Sequence, residues 1–206
     1  MILRTLFQSL SRLPVHMVGI KGTGMSALAE ILVRRGAVVT GSDTGEVFYT
    51  DAILRSLSIP VYSGFSAEHL PKDVALVIHS AAYDRAVNPE LVEAIRRGIP
   101  VVSYPEALGG LSSLYHSVGI SGVHGKTTTT AIAGTLASAL GLKATILAGS
   151  AVSNFGGRST LFLGDEYFIA ETCEYRRHFL DFSPSAIVIT SIEPDHQDYY
   201  PGYQDI

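Results

Sequence analysis

The segment GISGVHGKTTTT, residues 119–130, has the composition of a phosphate-binding loop. Backbone N–H groups of such a loop wrap phosphate oxygens, its lysine adds a positive charge, and the hydroxyl that follows can ligate magnesium. We therefore predict that Lys126 and Thr127 serve phosphate and metal. The other predicted nucleotide-binding residues of the loop are Gly122, Val123, His124, Gly125 and Thr128. The glycine spacing differs from the usual G-x-x-x-x-G-K-[ST] pattern, so the loop is a variant.

Acidic residues follow two later apolar runs of the same half of the chain. Glu171 is the last residue of EYFIAE, and Glu174 follows this segment. A hard divalent cation could use their carboxylates. The segment SIEPDHQDYY carries His196 among acidic residues, although imidazole suits softer metals than magnesium. A solvated acidic loop remains an alternative at both places. Arg176 and Arg177 could clamp an anionic substrate or face water.

A second glycine-rich turn lies near the start of the chain, in GIKGTGMSALAE. Gly22 and Gly24 match the G-x-G-x-x-[GA] fingerprint, which presents a helix N-terminus to a diphosphate. Asp43, in the segment GSD about twenty residues later, could accept a hydrogen bond from a ribose hydroxyl. Taken alone, this pair indicates NAD, and glycines that serve only strand-to-helix packing are the alternative. The small residues of HSAAY, after another strand, would also let a ligand lie close.

The elements that must position these residues alternate between short apolar strands and helical patterns. This rhythm predicts βαβ units with parallel sheets. We predict a Rossmann-like parallel-sheet domain over residues 1–110, followed by the first part of a P-loop-type α/β ATPase domain over 111–206. EALGGLSSLYH near the boundary could form a helix, and the first residues, MILRTLFQSLSRLP, predict a short amphipathic helix. The chain closes soon after a strand, so we expect a truncated second domain.

Composition limits the possible classes of function. A formal net charge of −4 over 206 residues offers no broad basic field for nucleic acid, so any anion must be held locally. The single cysteine, Cys173, excludes an intrachain disulfide and a cysteine-rich zinc site, and fits a cytoplasmic protein best. No apolar run is long enough to suggest a membrane span. His16 and His116 are interpreted as strand-flanking residues without chemistry.

The motifs GIKGTGMSALAE, GSD, GVHGKTTTT, AETCE and SIEPDH, in this order, resemble those of the Mur ligase family of peptidoglycan synthesis. The resemblance spans nearly the whole chain, from residue 16 to residue 200. It implies that the glycine-lysine loop holds the phosphates of ATP, while the earlier glycine turn holds the diphosphate of UDP and not that of NAD.

The resemblance also implies roles for single residues. Lys126 would contact the transferring phosphate, Thr127 and Glu171 would bind one magnesium ion, and His196 would bind a second metal, with manganese as a further possibility. These four residues form the implied catalytic set. The implied substrate-binding residues around the UDP-sugar are Gly22, Thr23, Gly24, Met25, Ser42, Asp43 and Ser80.

The implied reaction joins L-alanine to the carboxylate of UDP-N-acetylmuramate through an acyl phosphate, at the expense of ATP. Family members continue beyond the stretch that this chain resembles, so we expect this chain to be an N-terminal piece that is inactive alone. Three departures from the family pattern are Val123 for threonine, TCEYRRHF for a more acidic and serine-rich run, and Ser191 for asparagine. A family ligase that attaches a preformed tripeptide, and an NAD-dependent dehydrogenase or nucleotide-binding module outside the family, remain alternatives.

Overall fold

The computed structural model of the chain describes residues 2–172 and 180–193. It divides into two compact units, residues 1–107 and 108–206. The division falls inside a helix, α5, at Tyr104–Ser112. We describe each unit separately.

The first unit is built on a five-stranded parallel sheet. Its strands are β1 (Pro14–Val18), β2 (Val38–Asp43), β3 (Val61–Ser63), β4 (Leu76–His79) and β5 (Val101–Ser103). They are ordered β3-β2-β1-β4-β5, and each neighbouring pair is parallel. The helices that precede α5 are α1 (Ile2–Gln8), α2 (Thr23–Arg34), α3 (Thr50–Ser56) and α4 (Pro89–Arg96). The α/β fold class is thus confirmed.

Burial explains why these segments form strands and helices where they do. All four residues of β4 are buried, as a strand covered by helices on both faces requires. In α2, Leu28, Ile31 and Leu32 recur at helical spacing and are at most 1% exposed, so one face of the helix packs into the core. The chain runs from β1 to β2 on one side, whereas β4 pairs with β1 on the other. Ligands of open α/β sheets bind at such a reversal, which lies where the glycine turn follows β1.

The second unit also has a five-stranded sheet, but one strand is antiparallel. Its strands are β6 (His116–Ser121), β7 (Ala144–Val152), β8 (Arg158–Phe162), β9 (Tyr167–Glu171) and β10 (Ala186–Ile189), and its long helix is α6 (Lys126–Ala139). The order is β10-β6-β9-β7-β8, with β8 antiparallel to β7. The hairpin that β8 forms with β7 was not predicted. Strand β10 lies at the sheet edge, and its four residues are exposed.

Across the described ranges, no helix combines the length and the apolar character that a membrane crossing requires.

Candidate functional site

The glycine turn of the first unit connects β1 to α2. Gly19 has φ +82°, a backbone conformation that side chains rarely adopt, and Gly22 is the N-cap residue of α2 without any side-chain cap. The first N–H groups of a helix have no partners within the helix, so this end can receive an anion. A Cβ atom at Gly22 would meet no atom closer than 3.7 Å, whereas at Gly24 it would lie 2.9 Å from the ring of Tyr104.

Asp43 supports this turn from the end of β2. Its carboxylate accepts hydrogen bonds from the Lys21 N–H (2.7 Å), the Thr44 N–H (2.8 Å) and the Tyr83 hydroxyl (3.2 Å). Burial raises the pKa of Tyr83 to about 12, and the Asp43 charge acts in the same direction. The ring of Tyr83 covers Gly19, where a Cβ would lie 2.6 Å from it. Asp43 therefore stabilises the turn, and its carboxylate already accepts hydrogen bonds from groups of the protein.

Other predicted substrate-binding residues have different surroundings. Ser42 is fully buried, and its hydroxyl donates to Glu90, so a sugar nucleotide would have to displace this contact. Met25 is only 3% exposed and belongs to the core. Thr23 is partly exposed, and its hydroxyl accepts a hydrogen bond from the Tyr49 hydroxyl at 2.9 Å. Ser80 is also partly exposed and follows β4 directly, which leaves it accessible at the ligand edge of the sheet.

A buried polar network lies behind Ser42 and corrects the interpretation of His16. This residue lies within β1, is fully buried, and places its Nε2 3.2 Å from the fully buried carboxylate of Glu90. The second oxygen of Glu90 lies 2.8 Å from the ring nitrogen of His69. Burial alone would raise the pKa of Glu90, but the hydrogen bonds of His16, Ser42 and His69 and the His16 charge lower the pKa. His16 is therefore part of a structural network.

A second polar cluster follows β4 and was not found from sequence. His79 Nε2 accepts a hydrogen bond from Arg85 Nε at 2.8 Å, and Arg85 pairs with Glu106 at 2.7 Å. Burial lowers the pKa of His79, and the Arg85 charge lowers this pKa further. The neutral imidazole thus fixes the guanidinium at the edge where HSAAY was predicted to receive a ligand.

The phosphate-binding loop of the second unit connects β6 to α6. Gly122 (φ +126°) and Gly125 (φ +81°) both have left-handed backbone conformations, and Gly125 is the N-cap residue of α6 without a side-chain cap. A Cβ at Gly122 would collide with Thr190 and with the backbone of Ser191. The Ser191 hydroxyl also accepts a hydrogen bond from the His124 N–H at 3.0 Å. Ser191, noted above only as a departure, therefore holds the loop.

The chemically important side chains meet at the start of α6. The Thr127 hydroxyl donates to Glu171 Oε2 at 3.2 Å, and the Gly149 N–H donates to Glu171 Oε1 at 2.6 Å. Burial raises the pKa of Glu171, although the Gly149 N–H, Thr127 and the Lys126 charge oppose it. The Lys126 ammonium donates to the carbonyls of Gly122 and Val123. A phosphate would have to replace these carbonyls as its partner.

The threonines after Lys126 do not share one role. Thr128 is exposed at the helix start, as a phosphate contact requires. Thr130 is fully buried, and its hydroxyl donates to the Lys126 carbonyl at 2.9 Å, so this hydroxyl serves the helix. His196 and Glu174 fall outside the described residues, as do Arg176 and Arg177. Within the described residues, no group of three or more His, Cys, Asp or Glu side chains could hold a metal ion.

Comparisons with known proteins cover both units. A family model described as the catalytic domain of the Mur ligase family matches residues 14–116, and the Mur ligase middle domain matches residues 120–206. The chain is 57% identical over 202 residues to the UDP-N-acetylmuramate–L-alanine ligase of Treponema pallidum (strain Nichols), covering 98% of this chain and 42% of the relative. It is 47% identical to the ligase of the same name from Desulfitobacterium hafniense (strain Y51), covering 94% and 42%. The chain thus spans about 42% of the length of these relatives.

Solved structures show the same fold. The UDP-N-acetylmuramate–alanine ligase of Thermotoga maritima matches with a TM-score of 0.76 and 30% identity, over 92% of this chain and 44% of that one. The UDP-N-acetylmuramate:L-alanyl-gamma-D-glutamyl-meso-diaminopimelate ligase of Neisseria meningitides matches with a TM-score of 0.78 and 27% identity, over 91% and 63%.

Proposed function

Because this chain belongs to the Mur ligase family, we propose that it supplies the sugar-nucleotide-binding and phosphate-binding parts of an ATP-dependent ligase. The proposed enzyme joins L-alanine to the carboxylate of UDP-N-acetylmuramate during the synthesis of peptidoglycan precursors. The observation that carries the proposal is the 3.2 Å approach of Glu171 to Thr127, directly after Lys126 in a glycine-lysine loop. A charge, a hydroxyl and a carboxylate at one helix start are what phosphoryl transfer needs.

In the first unit, the N-terminus of α2 would receive the diphosphate of the UDP-sugar. Gly22 leaves space there, and Thr23 and Ser80 are the predicted polar side chains that remain accessible. Asp43 and Tyr83 would act indirectly, because they fix the turn and do not depend on the ligand for their hydrogen bonds. This arrangement supports a diphosphate ligand, and the family match favours UDP over NAD.

In the second unit, the donor set fits ATP with a divalent cation. Thr127 and Glu171 offer the oxygen ligands that magnesium prefers, and burial raises the pKa of Glu171, so a cation beside it would stabilise its carboxylate. Such a cation would neutralise charge on the phosphates during transfer. Lys126 and the N–H groups at the start of α6 would hold the phosphate oxygens in position. His196 stays a predicted second ligand.

The proposed reaction has two steps. The muramoyl carboxylate forms a bond to the γ-phosphorus while the bond to ADP breaks, and the amine of L-alanine then displaces phosphate from the acyl carbon. The residues of this chain would mainly position the reactants and stabilise charge. We propose a small-molecule function in the cytoplasm, without nucleic-acid or membrane partners.

A substitution of Lys126 tests this proposal. In the whole enzyme, Lys126→Ala should reduce turnover at least about tenfold, which corresponds to roughly 1.4 kcal/mol of barrier. Lys143→Ala, which removes an exposed lysine of the same unit, is the matched control and should retain turnover. Wild-type turnover in the Lys126 variant would remove the lysine from the mechanism.

Two alternatives are separated by simple measurements. A ligase for a preformed tripeptide shares this fold, as the Neisseria structure indicates, but the higher identity to alanine ligases favours L-alanine. Turnover with L-alanine against the tripeptide decides between them. Calorimetric titration with UDP-N-acetylmuramate against NAD separates both from a dehydrogenase, since tighter binding of NAD would contradict the proposed function.

A further inference from the structure

Lys21 lies inside the glycine turn, where its positive charge suggests a contact with the diphosphate. Its ammonium instead donates to the carbonyls of Thr44 (3.0 Å) and Glu46 (2.7 Å) and lies 3.5 Å from a carboxylate oxygen of Asp51. The Lys21 side chain is only 10% exposed. Two carbonyls and a carboxylate already use its charge.

The backbone of Lys21 is directed to the same part of the chain. Its N–H donates to Asp43 at 2.7 Å, and its carbonyl accepts from the Thr50 hydroxyl at 2.5 Å. Backbone and side chain together therefore attach the turn to residues 43–51, which run from the end of β2 through the connection into the first turn of α3. Lys126 also donates to backbone carbonyls, but Lys21 has in addition the Asp51 carboxylate as a charged partner and is only 10% exposed, so its ammonium is held within the protein.

The connection contains a loop, residues 44–49, that exposes large apolar side chains beside the turn. Val47 is 91% exposed and Tyr49 is 52% exposed, while the ring of Phe48 lies 5.8 Å from the Lys21 ammonium. Burial of apolar area cannot fix a loop whose side chains remain in water. Its order must depend on polar contacts, of which those of Lys21 are among the best shielded from water.

The 44–49 loop contacts the start of α2 at one further point. The Tyr49 hydroxyl donates to the Thr23 hydroxyl oxygen at 2.9 Å. Since Thr23 is the first residue of α2, a contact that fixes its side chain also fixes a polar group next to the N–H groups that can receive an anion.

We propose that Lys21 is a positioning residue that fixes the 44–49 loop against the glycine turn and, through Tyr49, orients the Thr23 hydroxyl toward a nucleoside diphosphate sugar. The inference rests on the proposed function for the identity of the ligand. It assigns Lys21 no contact with phosphate. The exposed side chains of the loop then have fixed positions beside the diphosphate. The ligand therefore does not have to order this loop when it binds.

Binding of UDP-N-acetylmuramate to Lys21→Met and Tyr49→Phe variants of the chain tests the proposal by calorimetry. Lys21→Met should weaken binding about tenfold, and Tyr49→Phe should weaken it less. The double variant should bind no worse than Lys21→Met, because both changes remove the same support. The dependence of affinity on salt should be the same in wild type and Lys21→Met. A flatter salt dependence in Lys21→Met, or additive losses in the double variant, would overturn the proposal.

Hydrogen exchange of the free chain tests, without a ligand, whether Lys21 fixes the 44–49 loop. Lys21→Met should speed exchange of the amides of residues 44–50 by about tenfold, whereas Lys72→Met, at an exposed lysine of the same unit, should leave them unchanged. Unchanged exchange in Lys21→Met would show that Lys21 does not fix the loop. If wild type fails to bind the sugar nucleotide, the proposed function fails. The exchange measurement still decides whether Lys21 fixes the loop. Tyr49→Phe removes only an exposed hydroxyl, so it provides the binding test if Lys21→Met does not fold.

Discussion

Gly22 and Gly24 lie in one turn, but they are glycine for different reasons. In the free chain a Cβ at Gly22 would make only ordinary van der Waals contacts, and this residue has an ordinary φ of −56°. At Gly24 the ring of Tyr104 already occupies the space that a Cβ would need. A substitution at Gly24 therefore disturbs the packing of the protein, whereas a substitution at Gly22 acts mainly on a ligand.

We expect Gly22→Ala to lower the melting temperature only by the modest cost of replacing an N-cap glycine, and to weaken binding of UDP-N-acetylmuramate at least about tenfold, because a methyl group would meet the diphosphate. Gly24→Ala should lower the melting temperature, since the added methyl group overpacks against Tyr104 at a typical cost of about 1–3 kcal/mol. Calorimetry and thermal unfolding of both variants measure the two effects. Wild-type affinity in Gly22→Ala would show that no ligand approaches this backbone.

Glu171 offers a second test on a single side chain. Glu171→Gln keeps an oxygen for the Gly149 N–H but removes the negative charge beside Thr127. We expect the affinity for ATP with magnesium to fall at least about tenfold, while the affinity for ATP in a chelator should change little. Glu166→Gln, at an exposed carboxylate of the same unit, is the control. Equal losses with and without metal would assign Glu171 to loop structure.

At the scale of elements, the buried Glu90 carboxylate joins three segments of the first unit. It belongs to α4 and contacts His16 of β1, Ser42 of β2 and His69 of the short 3-10 helix Ala67–His69. A buried carboxylate without such partners would be costly, so these residues stabilise the fold only as a set. The network also holds the end of β2, from which Asp43 braces the glycine turn.

The network should make the stability of the chain depend on pH. The folded pKa of Glu90 lies below its ordinary value of 4.5, so its contribution is present above that value and is lost as pH falls through the folded pKa. Glu90→Gln should destabilise the chain by about 1–3 kcal/mol at neutral pH, because its amide nitrogen would replace a carboxylate oxygen that accepts a hydrogen bond from the Ser42 hydroxyl or the Ser66 N–H. Melting temperatures from about pH 5 to about pH 3 should fall more steeply in wild type than in the variant. Asp73→Asn, at an exposed carboxylate of the same unit, should behave like wild type, and parallel pH profiles for wild type and Glu90→Gln would refute the assignment.

At the scale of the whole molecule, motifs with a local cause were predictable from the sequence. A glycine-lysine loop between an apolar strand and a helix predicts α6 and its first residues, because the loop, the strand and the helix are continuous in sequence. The positions of β1 and β4 followed from apolar runs that two-sided burial requires. The α/β class followed from the alternation of apolar strands and helical patterns, and the family resemblance followed from five motifs in order.

Features that depend on long-range contacts were not predictable in the same way. The buried state of His16 depends on Glu90, 74 residues away, and no local pattern connects the two. The need for glycine at position 24 is explained only by the nearby ring of Tyr104. Ser191 contacts the phosphate-binding loop only because β10 lies beside β6. The direction of the Lys21 side chain likewise depends on a loop that begins 23 residues later. In each case the sequence gives the residue type, and the tertiary structure decides its partner.

Two ligands should leave separate footprints on the chain, because each binds the donors of a different unit. UDP-N-acetylmuramate should slow hydrogen exchange in residues 19–24 and 43–50, and a non-hydrolysable ATP analogue with magnesium should slow it in residues 122–130 and at Gly149. At a ligand concentration of about one hundred times Kd, the stabilisation of about 2.7 kcal/mol would slow exchange through opening of the bound region about a hundredfold. Lys126→Ala should lose the second footprint and keep the first, which separates a defect in nucleotide binding from a defect in folding. Protection of the same residues by both ligands would contradict the assignment of one ligand to each unit.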